Sequence, residues 1–187
     1  GESVLVLAAA GGVGSSAVQM AKAHGCRVIA AAGGPEKMQV CLDLGADVAI
    51  DYRNEDLYER VMEETGRRGV DVVYDPVGGE YFDIARRLVA WEGRLLVVGF
   101  ASGGIPSAPA NHVLVKNYSV VGVHMGGYRN IDPEPLRQCY DEVYGLLLDG
   151  KIDPLVSQTV GMADLPAALK DLFERNTTGR VIFDPRL

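Results

Sequence analysis

The chain has 187 residues, enough for one domain or for one domain and part of a second. With 48% hydrophobic residues and 23 glycines it suits a compact core with many tight turns, and excludes a disordered or fibrous chain. A formal net charge of −7 argues against nucleic acid or an anionic membrane as a general partner, so any phosphate site must be built locally from backbone amides and a few placed cations.

Glu2-Ser3 run straight into the apolar stretch Val4-Leu5-Val6-Leu7, with no initiator Met and no lead-in element. This reads as a start at a domain boundary inside a longer protein. Strands are expected at 3–8, 27–32, 47–50, 70–75, 93–98 and 118–123, with helices at 12–24, 35–44, 55–65, 79–90 and 133–149. The strand segments are continuous Val, Leu, Ile and Ala runs without polar alternation, as in strands buried on both faces. Regular strand–helix alternation predicts an α/β fold: a doubly wound, Rossmann-type parallel sheet of six strands. Residues 101–117, with Gly103-Gly104, Pro106 and Pro109, read as one long loop. Past Gly150 the pattern changes to a short strand near 157–161, a helix from Asp164 to about Arg175 and a strand at 180–183. The expected division is a dinucleotide-binding domain at 1–150 and a C-terminal tail at 151–187.

The strongest chemical signal is Ala8-Ala9-Ala10-Gly11-Gly12-Val13-Gly14, between the first strand and the first helix. Against the pattern G-x-G-x-x-G it supplies Gly11, where backbone can approach a pyrophosphate, and Gly14, where helix and strand pack closely; Ala9 takes the first glycine position. Ala10, Gly11, Gly12, Val13 and Gly14 are therefore read as the cofactor-binding turn. The helix start adds free amides and a positive dipole end, and Ser15 and Ser16 can add hydroxyl donors.

The second strand ends Ala30-Ala31-Ala32-Gly33-Gly34, with no carboxylate at its tip. A carboxylate there would bond the ribose hydroxyls of NAD and repel a 2′-phosphate, so its absence favours NADP. Lys37, Tyr52 and Arg53 are the candidates for a phosphate cradle. Other readings stay open: Lys37 as a solvated helix residue, Arg53 as the partner of Glu55 or Asp56, and Glu36 as a ribose ligand that would favour NAD.

No arrangement of residues demands a general acid, a nucleophile or a metal, so no catalytic or metal-ligating residue is assigned. His24, His112 and His124 are isolated, and Cys26, Cys41 and Cys139 form no C-x-x-C pair. All six read as structural, and the cysteines fit a reducing, cytoplasmic setting. No apolar run reaches the length of a membrane span and no signal peptide precedes the first strand. Tyr128 reads equally as a pocket residue or a surface aromatic, as do Asn111 and Lys116 in their own positions.

In order along the chain stand Gly11-Gly12-Val13-Gly14, Gly33-x-x-x-Lys37, Leu44-Gly45-Ala46-Asp47, Asp51-Tyr52-Arg53, Gly69-Val70-Asp71-Val72-Val73-Tyr74-Asp75 and Val77-Gly78-Gly79. Through these the chain resembles the medium-chain dehydrogenase/reductase superfamily, and within it the zinc-independent quinone oxidoreductases similar to zeta-crystallin. The resemblance implies hydride transfer from NADPH to a quinone or enone, with Gly33, Lys37 and Tyr52 around the 2′-phosphate. It implies that Val77, Gly99, Phe100 and Ala101 flank the nicotinamide, and that the edge strand 118–123 pairs with its mate in a homodimer. Members also carry an N-terminal GroES-like domain against which a tail such as 151–187 packs. Without that domain the chain is expected to bind cofactor, to turn over quinone poorly, and to have a tail that is mobile, exposed or swapped. The competing expectations are the cofactor domain of a zinc-dependent alcohol dehydrogenase and a non-catalytic NADPH-binding sensor or structural protein.

Overall fold

Alternate residues of the first strand point to opposite sides, and both sides are buried: Val4 and Val6 face one core cluster, Leu5 and Leu7 the other. The computed structural model describes residues 1–187. Its main sheet has strands β1 (Ser3–Val6), β2 (Arg27–Ala32), β3 (Val48–Asp51), β4 (Val70–Asp75), β5 (Val89–Val97) and β6 (Ser119–Gly122), in the order β3-β2-β1-β4-β5-β6. Every pairing is parallel; Leu5, for example, lies between Ile29 and Val73. This is the doubly wound Rossmann order, whose ligand crevice opens at the carboxyl ends of the strands where the winding reverses, here between β1 and β4.

Helices α1 (Gly12–Ala23) and α2 (Pro35–Asp43) cover one face through Val18 and Cys41, against Val28, Ala30 and Val72. Helices α3 (Leu57–Glu64) and α4 (Gly79–Leu88) cover the other through Leu57, Val61, Phe82, Ala85 and Leu88. Cover on both faces accounts for the unalternated runs of β1, β2 and β4, whereas β6, expected to be buried in the same way, is exposed along its length because the helices that flank it in sequence bury no residues. After β5 come α5 (Ala110–Lys116), then β6, α6 (Met125–Ile131) and α7 (Pro133–Leu148). The tail forms a separate two-stranded parallel sheet of β7 (Val156–Val160) and β8 (Arg180–Phe183), joined by α8 (Leu165–Phe173).

Two strand limits and two helices differ from expectation. The first strand ends at Val6, because Ala8 turns the chain with a φ of +49°. Strand β5 begins at Val89, beside Val70, and reaches its second half through an irregularity that holds Glu92 at a φ of +58°. The expected loop 101–117 closes with α5, whose Val113 packs on the core and whose end is turned by Asn117 in the left-handed region; the glycines and prolines before it hid its apolar run. Helix α6 was not expected, since two of its seven residues are glycine.

The tail lies against the sheet domain. Gly179 pairs with Gly11 in an isolated parallel bridge, and its N–H donates to the Ala10 carbonyl at 2.8 Å.

Candidate functional site

The glycine turn is shaped by close contacts. Gly14 starts α1 so near the turn that a Cβ there would overlap the Ala8 carbonyl oxygen and the Ala9 Cα. A Cβ on Gly12 would come within 3.1 Å of the Gly179 carbonyl oxygen. No side chain caps the N-terminus of α1 and no acidic residue stands in its first turn. The Gly179 carbonyl faces Gly12 at the helix start, and the amides of the first turn beyond it have no side-chain partner, which leaves them to an anion. Ser15 and Ser16 do not add donors outward; both hydroxyls turn back to the Gly12 carbonyl at 3.4 Å.

Beside this turn a cleft of about 240 Å³ opens at the carboxyl edge of the sheet. The sheet domain lines it with Leu7, Ala8, Ala10, Gly11, Ala32, Gly33, Lys37, Tyr52, Val77, Tyr81 and Ala101, and the tail with Leu172, Arg175 and Thr177. Seven of the twelve expected cofactor residues thus meet in one place: Ala10, Gly11, Gly33, Lys37, Tyr52, Val77 and Ala101. The other five do not line it. Gly12 lies beneath Gly179, Gly14 is buried in the helix–strand contact, and Val13 is exposed. Gly99 packs against Pro76, and Phe100 lies over Gly78, 2.9 Å from where a Cβ would stand.

One end of the cleft is cationic. The Lys37 ammonium donates to the Arg175 carbonyl at 2.5 Å, and its pKa is lowered first by burial, then by the Arg53 and Arg175 guanidiniums. None of these three cations forms a salt bridge. Arg53 does not pair with Glu55, which takes Arg60, nor with Asp56, which caps α3 through the Glu59 N–H. Glu36 is exposed and does not line the cleft. At Gly33 a Cβ would stand 2.8 Å from both the Tyr52 hydroxyl and Arg53 Nε, so these side chains close over bare backbone.

The carboxylate between Gly34 and Arg53 is already engaged. Asp51, buried at the tip of β3, accepts from the Gly34 N–H at 2.8 Å, the Arg53 N–H at 3.0 Å and the Asn54 amide at 2.7 Å. These bonds, Gly34's first, hold its pKa below the ordinary carboxylate value. It fixes the loop that carries Tyr52 and Arg53. Asp75 acts similarly at the tip of β4. It accepts from the Val77 and Gly78 N–H groups at 2.8 and 2.9 Å, and burial raises its pKa against the pull of those bonds.

Among the seven lining residues that sequence reasoning missed, Arg175, Thr177 and Tyr81 carry polar groups. Tyr81 meets Tyr52 edge-on, with ring centroids 5.3 Å apart. Arg175 follows α8 with a φ of +61°, uncommon for a non-glycine residue. A basic residue just past a helix was legible in the sequence, but not the return of the tail to the cleft.

The remaining candidates are scattered. His24 lies 3.5 Å from Glu142, and His112 Nδ1 is 3.3 Å from the Tyr118 hydroxyl. Lys116 donates to the Arg87 carbonyl, and Asn111, Tyr128 and His124 are exposed. Cys41 is buried, which pushes its thiol up to about 12. No group of three or more His, Cys, Asp or Glu side chains is arranged to hold a metal ion, and no helix is long and apolar enough to cross a membrane.

The topology, the helix start at the strand ends and the cleft beside it define a Rossmann-type domain with its ligand crevice open. The zinc-binding dehydrogenase family matches residues 12–142, and the chain belongs to that family, within the medium-chain dehydrogenase/reductase superfamily. It is 37% identical over 188 residues to the quinone oxidoreductase-like protein 2 homolog of Nematostella vectensis, covering 100% of this chain and 51% of that protein. The quinone oxidoreductase of Pseudomonas syringae pv. tomato superposes with a TM-score of 0.89 at 35% identity, over 99% of this chain and 57% of that one. The Escherichia coli quinone oxidoreductase complexed with NADPH gives 0.88 at 34% identity, over 98% of this chain and 57% of that one. The chain spans about half the length of the curated relatives it matches.

Proposed function

We propose that the chain is the NADPH-holding part of a zinc-independent reductase that delivers hydride to a quinone or enone. One observation carries the reading: in a chain of net charge −7, Lys37 and Arg175 line one end of the cleft with Arg53 beside them, and none of the three pairs with a carboxylate. Cations without carboxylate partners suit a 2′-phosphate. Gly33 fits the same role, since its lack of a side chain leaves room for Tyr52 and Arg53. The E. coli relative complexed with NADPH supports the choice of cofactor.

When bound, NADPH supplies the hydride, and the protein's part is to bind, orient and exclude water. On this reading the amides at the start of α1 and the backbone at Ala10 and Gly11 hold the pyrophosphate. Lys37, Arg53, Arg175 and the Tyr52 hydroxyl hold the adenosine phosphate. Val77 and Ala101, with Gly99 and Phe100 behind them, form the nicotinamide end, where Asp75 fixes the loop.

Residues 1–150 form the dinucleotide-binding domain in this proposal, and 151–187 a tail that also packs on a substrate domain. Exposed Met162, Leu169, Leu172 and Phe173 on the tail support that second contact. The exposed edge strand β6, paired only with β5, supports a homodimer formed by strand pairing. The scattered free cysteines support a cytoplasmic setting.

Calorimetric titration of the 187-residue chain with NADPH and NADH in parallel tests the cofactor. NADPH should bind about tenfold or more tightly than NADH, the scale of one charge-assisted contact. Equal binding, or preference for NADH, would overturn the phosphate reading. Quinone-dependent oxidation of NADPH should be slow for this chain alone; robust turnover would refute the need for a second domain.

A further inference from the structure

Gln19, two turns into α1 and 8% exposed, reaches the backbone of the tail. Its Nε2 donates to the Asp153 carbonyl at 2.8 Å, and its Oε1 accepts from the Asp153 N–H at 2.6 Å, across 134 positions of sequence. One side-chain amide thus satisfies both main-chain polar groups of one residue, much as a strand partner does.

The contact leads on to the cleft. Two residues beyond Asp153, the Leu155 carbonyl accepts from the Arg180 N–H at 2.9 Å, and the Gly179 N–H next to it donates to the Ala10 carbonyl at 2.8 Å. Between α8 and Gly179 lie Arg175 and Thr177, which wall the cleft. The tail is therefore held on the sheet domain at Gln19, at the glycine turn and at Lys37. Of these three holds, only Gln19 lies away from the cleft lining.

We infer that Gln19 is a positioning residue for the cofactor site: its amide seats the tail so that Arg175 stands at the cationic end. The inference rests on the NADPH reading above. Gln19 sets the preference for the phosphorylated cofactor without touching it. Breaking the two bonds leaves the Asp153 N–H and carbonyl to find water, which they do most readily by lifting the segment away from α1.

A double-mutant cycle tests this, reading NADPH and NADH dissociation constants together with hydrogen exchange at 152–156. Arg175→Ala should lower the NADPH-over-NADH preference about tenfold or more. Gln19→Met, similar in length and helix propensity, should lower it about three- to tenfold and speed exchange at Asp153. Added to Arg175→Ala, it should lower the preference no further, because both changes act through one group. If the parent chain itself shows no preference for NADPH, the phosphate reading fails; if it does and Arg175→Ala leaves that preference intact, Arg175 is no phosphate ligand and the role of Gln19 alone is overturned. If Arg175→Ala lowers it but Gln19→Met does not, the positioning role alone is overturned. Should Gln19→Met not fold, Gln19→Glu keeps the acceptor and loses the donor. An intermediate loss of preference is expected there, and an unchanged preference overturns the inference.

Discussion

The Lys37 ammonium donates to the main-chain carbonyl of Arg175, 138 positions further along the chain. This bond brings two cations from different parts of the sequence to one end of the cleft, where burial first, and then the Arg53 and Arg175 guanidiniums, lower the pKa of Lys37. Like charges held together without a counter-ion are unfavourable unless an anion joins them.

Lys37→Ala should therefore weaken NADPH binding about ten- to a hundredfold, the range of a hydrogen bond to a charged group, and NADH binding only about two- to threefold. The NADPH loss should shrink at high salt, since part of the site is open to solvent. Parallel titrations of both cofactors at two ionic strengths check this; equal losses for both would remove Lys37 from phosphate binding.

Gly14 and Gly33 separate backbone need from cofactor need. A Cβ on Gly14 meets the backbone of Ala8 and Ala9, which cannot yield without moving the turn. Gly14→Ala should cost about 2–4 kcal/mol of stability, the upper range for strain in a packed site. A Cβ on Gly33 meets only side-chain atoms of Tyr52 and Arg53. Gly33→Ala should shift stability by less than about 1 kcal/mol, yet weaken NADPH binding by displacing those groups. Denaturant unfolding alongside titration distinguishes the two, and a Gly33→Ala protein with unchanged NADPH affinity would count against the cradle.

Much of this was legible in the sequence because local rules and tertiary structure agree. The uninterrupted apolar runs of β1, β2 and β4 reflect a sheet covered on both faces, and Gly14 has its place wherever a helix must start against a strand. Lys37 and Tyr52 both line the cleft because both follow strand tips on one side of the sheet, which local sequence can show. Helix α5 was masked by the glycines and prolines before it. Arg175, Thr177 and the Gln19–Asp153 contact were invisible because they depend on where the tail returns, and no periodicity encodes a contact across 134 residues. Tyr81 looked like one more amphipathic position of α4, and only its edge contact with Tyr52 marks it.

Asp75 offers a test of shape against charge. Its Oδ1 accepts from the Val77 and Gly78 N–H groups, while burial works against its ionised form. Asp75→Asn keeps an acceptor there and removes the buried charge, so stability at neutral pH should change by less than about 1 kcal/mol. Asp75→Ala leaves two amides without their partner and should cost about 2 kcal/mol or more, with weaker cofactor binding through Val77. Thermal or denaturant unfolding of both variants decides it. Equal losses would mean that the charge, and not the acceptor, holds the loop.

At the opposite edge of the sheet, Asp71 gives the fold a pH dependence. Its carboxylate accepts from Arg68 at 2.6 and 3.1 Å, from the Ser3 N–H at 2.7 Å and from the Ser3 hydroxyl at 2.8 Å, tying β1 to β4. The Arg68 guanidinium first, then the Ser3 backbone and hydroxyl, hold its pKa well below the usual carboxylate range. A group with a depressed folded-state pKa contributes in full above its unfolded value and loses that contribution as pH falls toward the folded one. Arg68 is more than half exposed, so solvent screening limits the effect to about 1 kcal/mol. Asp71→Asn should accordingly be less stable than the parent by about that much at pH 7. The gap should narrow as the pH is lowered below about 4, where the unfolded chain's carboxylate begins to take up a proton that the folded one still resists. Unfolding curves for both proteins at neutral pH and near pH 3 measure the gap directly. A gap that stays constant would mean that Asp71 contributes through packing and neutral hydrogen bonds alone.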